Sequence, residues 1–309
     1  MKSKVSVIGA GNVGAEVARR LAEKELANVI LVDVLEGIPQ GKALDMLQAG
    51  PVAGYNALVT GTNELSEIKG SDMVVMTAGL ARKPGMSRDD LLKKNAEIIR
   101  SVTAKIKEYA PDSIILMVTN PLDTMTYLAW KVSGFPAERV LGMAPLLDLA
   151  RMATFIALEL KVPVTEVKAM VLGTHGDLMV PVPSQTTVAG KPIAKLLAKE
   201  KIEQIVERTR KGGAEIVAHL KTGSAYYAPS AATAYMVECM LRDKKEVISS
   251  SVMANGEYGL KGLYIGLPAR LGKKGVEGIV EIKLTAEEKE ALRRSAEAIS
   301  ANNQKCERS

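Results

Sequence analysis

Aromatic side chains are scarce in this chain, at 4% of its residues. Proteins that hold single-stranded nucleic acid commonly stack bases on aromatic rings, so a site of that kind is disfavoured. The net charge of +6 is spread over short basic pairs, such as Lys93 with Lys94 and Lys273 with Lys274, and no long basic run occurs. We therefore predict no nucleic-acid partner, and interpret the charge as a solvated surface or as attraction for anionic ligands.

Cysteine and long apolar runs are also lacking. Cys239 and Cys306 stand alone, too few for a disulfide framework or a cysteine-based zinc site, and acidic pairs such as Asp89 with Asp90 fit helix starts better than metal sites. The first apolar run, residues 5–8, is too short for a signal peptide, and no later stretch has the length to cross a bilayer. We predict a cytoplasmic protein with no membrane segment and no metal.

The length of 309 residues and the hydrophobic content of 47% suit two folded domains. The first half alternates short apolar runs with helical patterns. The predicted strands are residues 5–8, 29–32, 57–60, 73–77, 114–118 and 140–141, and the predicted helices are residues 13–23, 40–48, 91–109 and 122–132. Buried strands that alternate with helices predict an α/β fold with a Rossmann-type doubly wound parallel sheet.

The pattern changes after Gly142. Helical patterns are predicted over residues 147–160, 202–220, 230–241 and 286–300, and strands over residues 169–172, 179–182, 247–253, 263–265 and 276–282. We expect residues 1–142 to form a dinucleotide-binding Rossmann domain and residues 143–309 to form a mixed α/β substrate domain.

A glycine motif of the pattern GxGxxG follows the first strand and opens the first helix. Gly9 permits a tight turn, Gly11 leaves room for a pyrophosphate, and Gly14 allows the helix to approach the strand. Asn12 and Val13 begin that helix, whose N-terminal N–H groups favour phosphate. The motif alone is weak, but its position between a strand and a helix predicts dinucleotide binding.

Asp33 ends the second strand, nineteen residues after Gly14. A carboxylate there can accept hydrogen bonds from both ribose hydroxyls of the adenosine half and would repel a 2′-phosphate. No Arg or Lys follows directly, so NAD is favoured over NADP. The alternative interpretation is a strand-ending aspartate that caps a turn.

A second group of polar residues lies at the ends of strands and on one helix. Two loop arginines are six residues apart, a His lies in a Gly-flanked turn, and an Asp and an Arg share a helix face at i, i+3. A lone His is often a packing residue, as we interpret His219, so these residues need a joint explanation. They are Arg82, Arg88, Asn120, Asp148, Arg151 and His175.

Taken in this order, the segments resemble the lactate/malate dehydrogenase superfamily, and within it the malate dehydrogenases of lactate-dehydrogenase type. The resemblance runs from Lys4 to the C-terminal helix. Its most specific segments are residues 79–88, 119–121, 147–151, 173–177 and 220–227. Each segment is a weak signal alone, whereas their joint occurrence is specific.

The resemblance implies roles for the site residues. His175 corresponds to the general acid/base, Asp148 to the carboxylate that orients it, and Arg151 to the bidentate clamp on the substrate C1 carboxylate. In the same way Arg88 corresponds to the loop arginine that polarises the substrate carbonyl.

Four further residues complete the implied site. Asn120 corresponds to a residue that contacts substrate and cofactor, and Val118 and Asn95 correspond to nicotinamide-side contacts. Arg82 lies where the family reads the far end of the substrate, and a cation there would pair with a C4 carboxylate. Its alternative interpretation is an exposed loop arginine. We expect the loop of residues 80–91 to close over the ligands.

The resemblance therefore implies reversible oxidation of (S)-malate to oxaloacetate with NAD, a step of the tricarboxylic acid cycle. One alternative is a lactate or broad 2-hydroxy-acid dehydrogenase, and another is a NAD-binding sensor or structural subunit without turnover. The family also implies a homo-oligomer, with a tetramer favoured over a dimer. One departure is Pro145, where the family more often has Gly; a proline at a helix start is tolerated but alters the backbone near Asp148.

Overall fold

The computed structural model describes residues 2–80 and 87–308. Strands and helices alternate through the first half of the chain. In order, they are β1 (Lys4–Ile8), α1 (Asn12–Glu23), β2 (Asn28–Val32), α2 (Ile38–Ala53), β3 (Val59–Thr62), β4 (Met73–Met76), α3 (Arg88–Tyr109), β5 (Ile114–Met117), α4 (Leu122–Ser133) and β6 (Val140–Pro145).

Longer helices and antiparallel strands make up the second half. In order, they are α5 (Leu146–Leu160), β7 (Val167–Lys168), β8 (Val171–Gly173), β9 (Met179–Pro181), β10 (Thr187–Val188), β11 (Lys191–Pro192), α6 (Lys199–Leu220), α7 (Tyr227–Leu241), β12 (Glu246–Asn255), β13 (Lys261–Gly272), β14 (Gly275–Ile279) and α8 (Ala286–Arg308).

The first six strands form the parallel sheet that the alternating pattern predicted. Their spatial order is β3-β2-β1-β4-β5-β6, and every neighbouring pair is parallel. Every residue of β4, β5 and β6 is buried, because helices cover both faces of the sheet. The order reverses between β1 and β4, which is where open α/β sheets bind their ligands. The Rossmann-type fold is thus confirmed.

The sheet does not end with the first half. Strand β6 pairs with β12 in antiparallel fashion, and the sheet continues through β13, β8 and β9. One hydrophobic cluster contains Val5 and Leu31 from the first half together with Leu267 and Ile299 from the second. The two halves therefore share a sheet and a core.

Several predicted element boundaries were wrong. Helix α2 continues to Ala53 through Pro51; a proline in the last turn removes only one internal hydrogen bond. Strand β13 spans twelve residues where three were predicted, because Gly266 and Pro268 interrupt its apolar pattern. Strands β10 and β11 were not predicted, since two residues each are too short to show a period.

This topology gathers the polar segments at one edge. The carboxyl ends of β1, β2, β4 and β5 lie together there, followed by the glycine loop, Asp33, residues 77–80 and Asn120. The turn after β8 holds His175, and helices α4 and α5 begin beside it. Within residues 2–80 and 87–308, no helix combines the length and apolar character that a bilayer crossing requires.

Candidate active site

The three glycines after β1 have different surroundings. Gly9 has a φ of +104°, and a Cβ there would lie 2.7 Å from the Ala78 nitrogen. A Cβ on Gly14 would lie 1.8 Å from the carbonyl oxygen of Gly9, so Gly14 allows helix α1 to pack closely against the glycine loop. A Cβ on Gly11 would meet nothing within 4 Å. Gly9 and Gly14 therefore allow the loop to form, and Gly11 faces open space.

The N-terminus of α1 is suited to an anion. Gly11 is the N-cap residue, it makes no side-chain cap, and the first turn carries no acidic residue. The N–H groups of Asn12, Val13 and Gly14 lie in this first turn, and their partial positive charge is not offset by a side chain of the turn. With the open space at Gly11, this helix end fits the diphosphate of a dinucleotide.

Asp33 lies at the end of β2 and is half-buried. Its Oδ2 accepts a hydrogen bond from the Ala10 N–H at 2.6 Å, and its Oδ1 accepts one from the Leu35 N–H at 3.0 Å. An ionised carboxylate offers about four acceptor positions, so each oxygen can still accept from a hydroxyl. These residues fit NAD, with Asp33 available to the ribose of the adenosine half.

Sequence reasoning missed Lys42. The ammonium group of this α2 residue donates to the Ala10 carbonyl oxygen at 2.7 Å. In a trans peptide the N–H and the C=O point in opposite directions within one plane, so the Gly11 N–H points away from Lys42. No motif in the sequence marks this residue, because the contact joins two elements 32 residues apart.

Asn95 is almost fully buried on α3 and is bonded to the main chain. Its Oδ1 accepts from the Leu80 N–H at 2.8 Å, and its Nδ2 donates to the Asn120 carbonyl oxygen at 2.7 Å. Its amide thus joins the segment that follows β4, at Leu80, to the segment that follows β5, at Asn120, and is not left unpaired for a nicotinamide. Val118 is buried one residue beyond β5, and Asn120 is exposed.

His175, Asp148 and Arg151 form one hydrogen-bonded array. The His175 Nδ1 lies 2.8 Å from Asp148 Oδ2, and the Arg151 Nη1 lies 3.0 Å from Asp148 Oδ1. Asp148 is fully buried in the first turn of α5, where the helix dipole favours its negative charge. Because Nδ1 donates to Asp148, the Nε2 atom of the ring is left for proton exchange.

The surroundings stabilise the charged form of the ring. Burial by itself lowers the pKa of His175, whereas the negative charge of Asp148 and its hydrogen bond raise it. The balance is a pKa above the ordinary value of 6.5. His175 is therefore suited to hold a proton and then donate it.

Arg151 has capacity for an anion. Its side chain is 12% exposed, and its buried Nε has no hydrogen-bond partner among the described residues. A Cβ on Gly212 of α6 would lie 3.1 Å from the Arg151 Cδ, and one on Gly213 would lie 3.4 Å from Nη2. Glycine inside a helix costs about 1 kcal/mol, and this pair provides the space for the guanidinium. The pair was also missed, because nothing in the sequence relates it to Arg151.

A cavity of about 590 Å³ opens beside His175 and Asn120. Leu92 of α3 lines one side, and Ile299 and Lys305 of α8 line another. Helix α8 is also bonded to the His175 turn, because the Thr174 N–H donates to the Ser295 Oγ at 2.7 Å. The cavity is large enough for a small carboxylic acid next to the ring.

The two predicted loop arginines are described to different extents. Arg82 lies outside the described residues. Arg88 is the first residue of α3, and its side chain lies outside the described part. Ser87 caps this helix, accepting from the Asp90 N–H at 3.0 Å. The interpretation of Asp90 as a helix-start acid is thus confirmed.

Pro145 does not separate the pair that follows it. It is the N-cap residue of α5, and Asp148 and Arg151 remain hydrogen-bonded. Gly266 makes room for the ring, since a Cβ there would lie 2.2 Å from the Pro145 Cγ. The proline at this helix start is therefore matched by a glycine on the neighbouring strand.

Comparisons with known proteins identify the family. A family model described as lactate/malate dehydrogenase, NAD binding domain, matches residues 3–142, and one described as the alpha/beta C-terminal domain of the same family matches residues 146–308. A malate dehydrogenase of Roseiflexus sp. (strain RS-1) is 55% identical over 302 residues, which cover 98% of each chain.

Solved structures show the same relationship. A malate dehydrogenase from Salinibacter ruber has a TM-score of 0.95 and 49% identity, covering 99% of this chain and 98% of its own. A lactate dehydrogenase from Cryptosporidium parvum, solved with lactic acid and NAD, has a TM-score of 0.97 and 41% identity. The match covers 100% of this chain and 99% of that chain. On its glycine loop, its acid/base array and these matches, the chain belongs to the lactate/malate dehydrogenase family of NAD-dependent oxidoreductases.

Proposed function

We propose that this protein is a malate dehydrogenase, which reversibly oxidises (S)-malate to oxaloacetate with NAD. The observation that carries the proposal is the buried array of His175, Asp148 and Arg151 in a chain that also has a dinucleotide loop. When bound, NAD supplies and accepts the hydride, while the protein contributes orientation, charge and a proton.

His175 moves the proton. In oxaloacetate reduction its Nε2–H donates to the oxygen at C2 as the hydride arrives, and in malate oxidation the neutral ring accepts the hydroxyl proton. Asp148 keeps the ring in the Nδ1–H tautomer and stabilises the imidazolium. The raised pKa of His175 favours the protonated starting state of reduction.

Arg151 binds the carboxylate at C1. Its Nε–H, which has no partner within residues 2–80 and 87–308, and its Nη2 group can bind a planar carboxylate through two hydrogen bonds. We propose that Asn120 contacts substrate and cofactor, that Arg88 polarises the C2 carbonyl, and that Val118 lies at the nicotinamide. Asn95 acts through Asn120 and Leu80, which it holds by hydrogen bonds. We assign the cofactor to Gly9, Gly11, Asn12, Val13, Gly14 and Asp33.

Arg82 sets the choice of substrate. A cation at the far end of the site pairs with the C4 carboxylate of oxaloacetate, whereas pyruvate has only a methyl group there. Two curated malate dehydrogenases are each 55% identical to this chain. The alternative, a lactate dehydrogenase, rests on the fit to the Cryptosporidium parvum lactate dehydrogenase, whose sequence identity of 41% is lower. The fold is common to both activities, so the substrate must be tested directly.

Substrate comparison is the first experiment. NADH absorbance is followed with oxaloacetate and with pyruvate, and both assays are repeated with NADPH. We expect rapid oxidation only with oxaloacetate and NADH. A preference for pyruvate would overturn the assignment of Arg82 but keep the His175 chemistry. NADH binding without turnover of either acid would favour a NAD-binding sensor.

The role of Arg82 is tested by Arg82→Gln. Removing the C4 partner should lower kcat/KM for oxaloacetate by on the order of 10²-fold. The rate with pyruvate should rise or stay constant, because it has no C4 charge. An equal loss with both acids would contradict a role in specificity.

The role of His175 is tested by His175→Asn, with His219→Asn as the matched control. These are the two histidines of the chain, and His219 is exposed on α6. We expect the first change to lower turnover by at least about 10³-fold with NADH binding intact, since proton transfer contributes about 10²–10⁴. The second should have no effect.

The wider assignments follow from the same family. We propose that residues 1–142 bind the cofactor and residues 143–309 the substrate, and that the protein serves the tricarboxylic acid cycle in the cytoplasm. We propose a homotetramer, with a dimer as the alternative. Apolar side chains of α2 that are exposed in the single chain support self-association: Ile38, Leu44, Leu47 and Val52. Sedimentation should give about four times the chain mass of 33.0 kDa.

A further inference from the structure

A second buried aspartate lies under the His175 turn. Asp123 is 3% exposed, and three donors surround its carboxylate. Thr174 Oγ1 and the His175 main-chain N–H donate to Oδ2 at 2.7 and 3.1 Å, and Ser251 Oγ donates to Oδ1 at 2.7 Å. The family resemblance implied no role for this residue, and the reaction proposed above does not use it.

Two features of the geometry stabilise a negative charge on Asp123 against the effect of burial. It is the second residue of α4, so the positive end of that helix faces its carboxylate. Oδ2 already accepts two hydrogen bonds, which a carboxylate oxygen does best when charged. The pKa of Asp123 lies above its ordinary value because burial raises it by more than the three hydrogen bonds lower it.

The contacts place this charge where it acts on His175. Asp123 holds the main chain of the turn, while Asp148 holds the ring at Nδ1. The histidine is thus fixed at two points by acids from the first turns of two helices, α4 and α5. A change at Asp123 would alter both the position of the ring and the negative potential around it.

We propose that Asp123 is a positioning residue for His175, which fixes the backbone of its turn and whose negative charge helps to keep the ring protonated. The proposal rests on the proposed function, in which His175 exchanges the proton. It adds a second anion to the pair that the family resemblance implies.

Other charged groups also face the ring or its cavity. Asp148 and Asp123 raise the pKa of His175, and Arg151 lowers it. Asp177 from the turn, Asp89 from α3 and Lys305 from α8 line the adjoining cavity. All of these except Asp123 stay constant in the experiment below, so a shift can be attributed to Asp123.

The decisive variant is Asp123→Asn. Its amide oxygen can accept from Thr174 and from the His175 N–H, and its NH₂ can donate to Ser251, so the contacts are kept and the charge is removed. We expect the pH above which oxaloacetate reduction declines to fall by about half a unit or more, because nearby opposite charge favours the charged ring. NADH affinity and melting temperature should stay close to those of the unaltered protein. An unmoved pH profile would overturn the role of the charge.

Two further variants separate position from charge. Ser251→Ala removes the hydrogen bond to Oδ1, which favours the charged carboxylate, but keeps the bonds to the turn. Any shift of the pH profile should therefore have the same direction as in Asp123→Asn and be smaller, with kcat unchanged. Asp123→Ala removes all three bonds, and we expect kcat at least tenfold below that of Asp123→Asn. Equal kcat values for Asp123→Ala and Asp123→Asn would contradict the positioning role.

An NMR titration keeps the inference separate from the proposed reaction. With only two histidines, the ring signals of His175 are assigned by comparison with His219→Asn. In the NADH complex, the pKa of His175 should be lower in Asp123→Asn than in the unaltered protein. This shift is measured without turnover, so a different substrate would leave it intact, whereas an unchanged pKa would refute the inference even in an active malate dehydrogenase.

Discussion

At the residue scale, a substitution at Gly11 should weaken cofactor binding without affecting folding. Its φ of −66° suits any residue, and a Cβ there meets nothing within 4 Å. Gly11→Ala should therefore fold with unchanged stability but place a methyl group where the diphosphate approaches. We expect the Kd for NADH, measured by fluorescence, to rise at least tenfold, or about 1.4 kcal/mol. Gly41→Ala on α2, also without neighbours, is the control. Unchanged affinity in Gly11→Ala would contradict the placement of the diphosphate.

The raised pKa of His175 predicts opposite pH dependences for the two directions of reaction. Reduction of oxaloacetate needs the imidazolium, so its rate is full below that pKa and falls as pH rises through it. Oxidation of malate needs the neutral ring, so its rate increases over the same range. Because the pKa lies above 6.5, both changes should occur on the alkaline side of 6.5. Parallel profiles of kcat in the two directions would contradict His175 as the shared proton carrier.

Sequence reasoning found the residues whose chemistry is visible along the chain. Asp148 and Arg151 share a helix face, and they are hydrogen-bonded as that spacing suggested. It could not find Lys42, which acts on the glycine loop from another element, or Asp123, which meets His175 through a contact 52 residues away. Such contacts depend on tertiary packing, which a single sequence does not display.

At the scale of elements, β13 packs closely against the start of α5 because Gly266 has no side chain. A Cβ on Gly266 would lie 2.2 Å from the Pro145 Cγ and 2.4 Å from the Gly173 carbonyl oxygen. Gly266→Ala should therefore lower the free energy of unfolding by on the order of 3 kcal/mol, or roughly 10 °C in melting temperature. Gly278→Ala on β14 is the matched control, because its Cβ meets nothing within 4 Å. Equal melting temperatures in the two variants would contradict this packing.

The elements that were predicted well have a clear pattern of apolar residues along the sequence. Buried parallel strands such as β4 and β5 are uninterrupted apolar runs, so their positions were found within two residues. Strand β13 was predicted too short because the residues that make its close packing possible, Gly266 and Pro268, are also those that interrupt a strand pattern. The prediction therefore failed where tertiary packing requires residues, here glycine and proline, that are locally unfavourable in a strand.

At the scale of the whole molecule, the shared sheet predicts that the halves do not fold separately. Without residues 146–308, β6 would lose its pairing with β12, and the core shared with Leu267 and Ile299 would be exposed. A fragment of residues 1–145 should therefore aggregate or give poorly dispersed NMR spectra. A soluble fragment with a cooperative melting transition and NADH affinity would contradict this prediction.

The bond between Thr174 and Ser295 joins residues 121 positions apart. During synthesis, the residues of the His175 turn are added to the chain long before those of α8, the helix that supports the turn. The nascent chain can therefore form its glycine loop early, but the His175 turn acquires its hydrogen bond to α8 only when that helix has emerged. Catalytic competence thus arrives late in translation, and a fusion partner that restrains α8 would delay it from a distance.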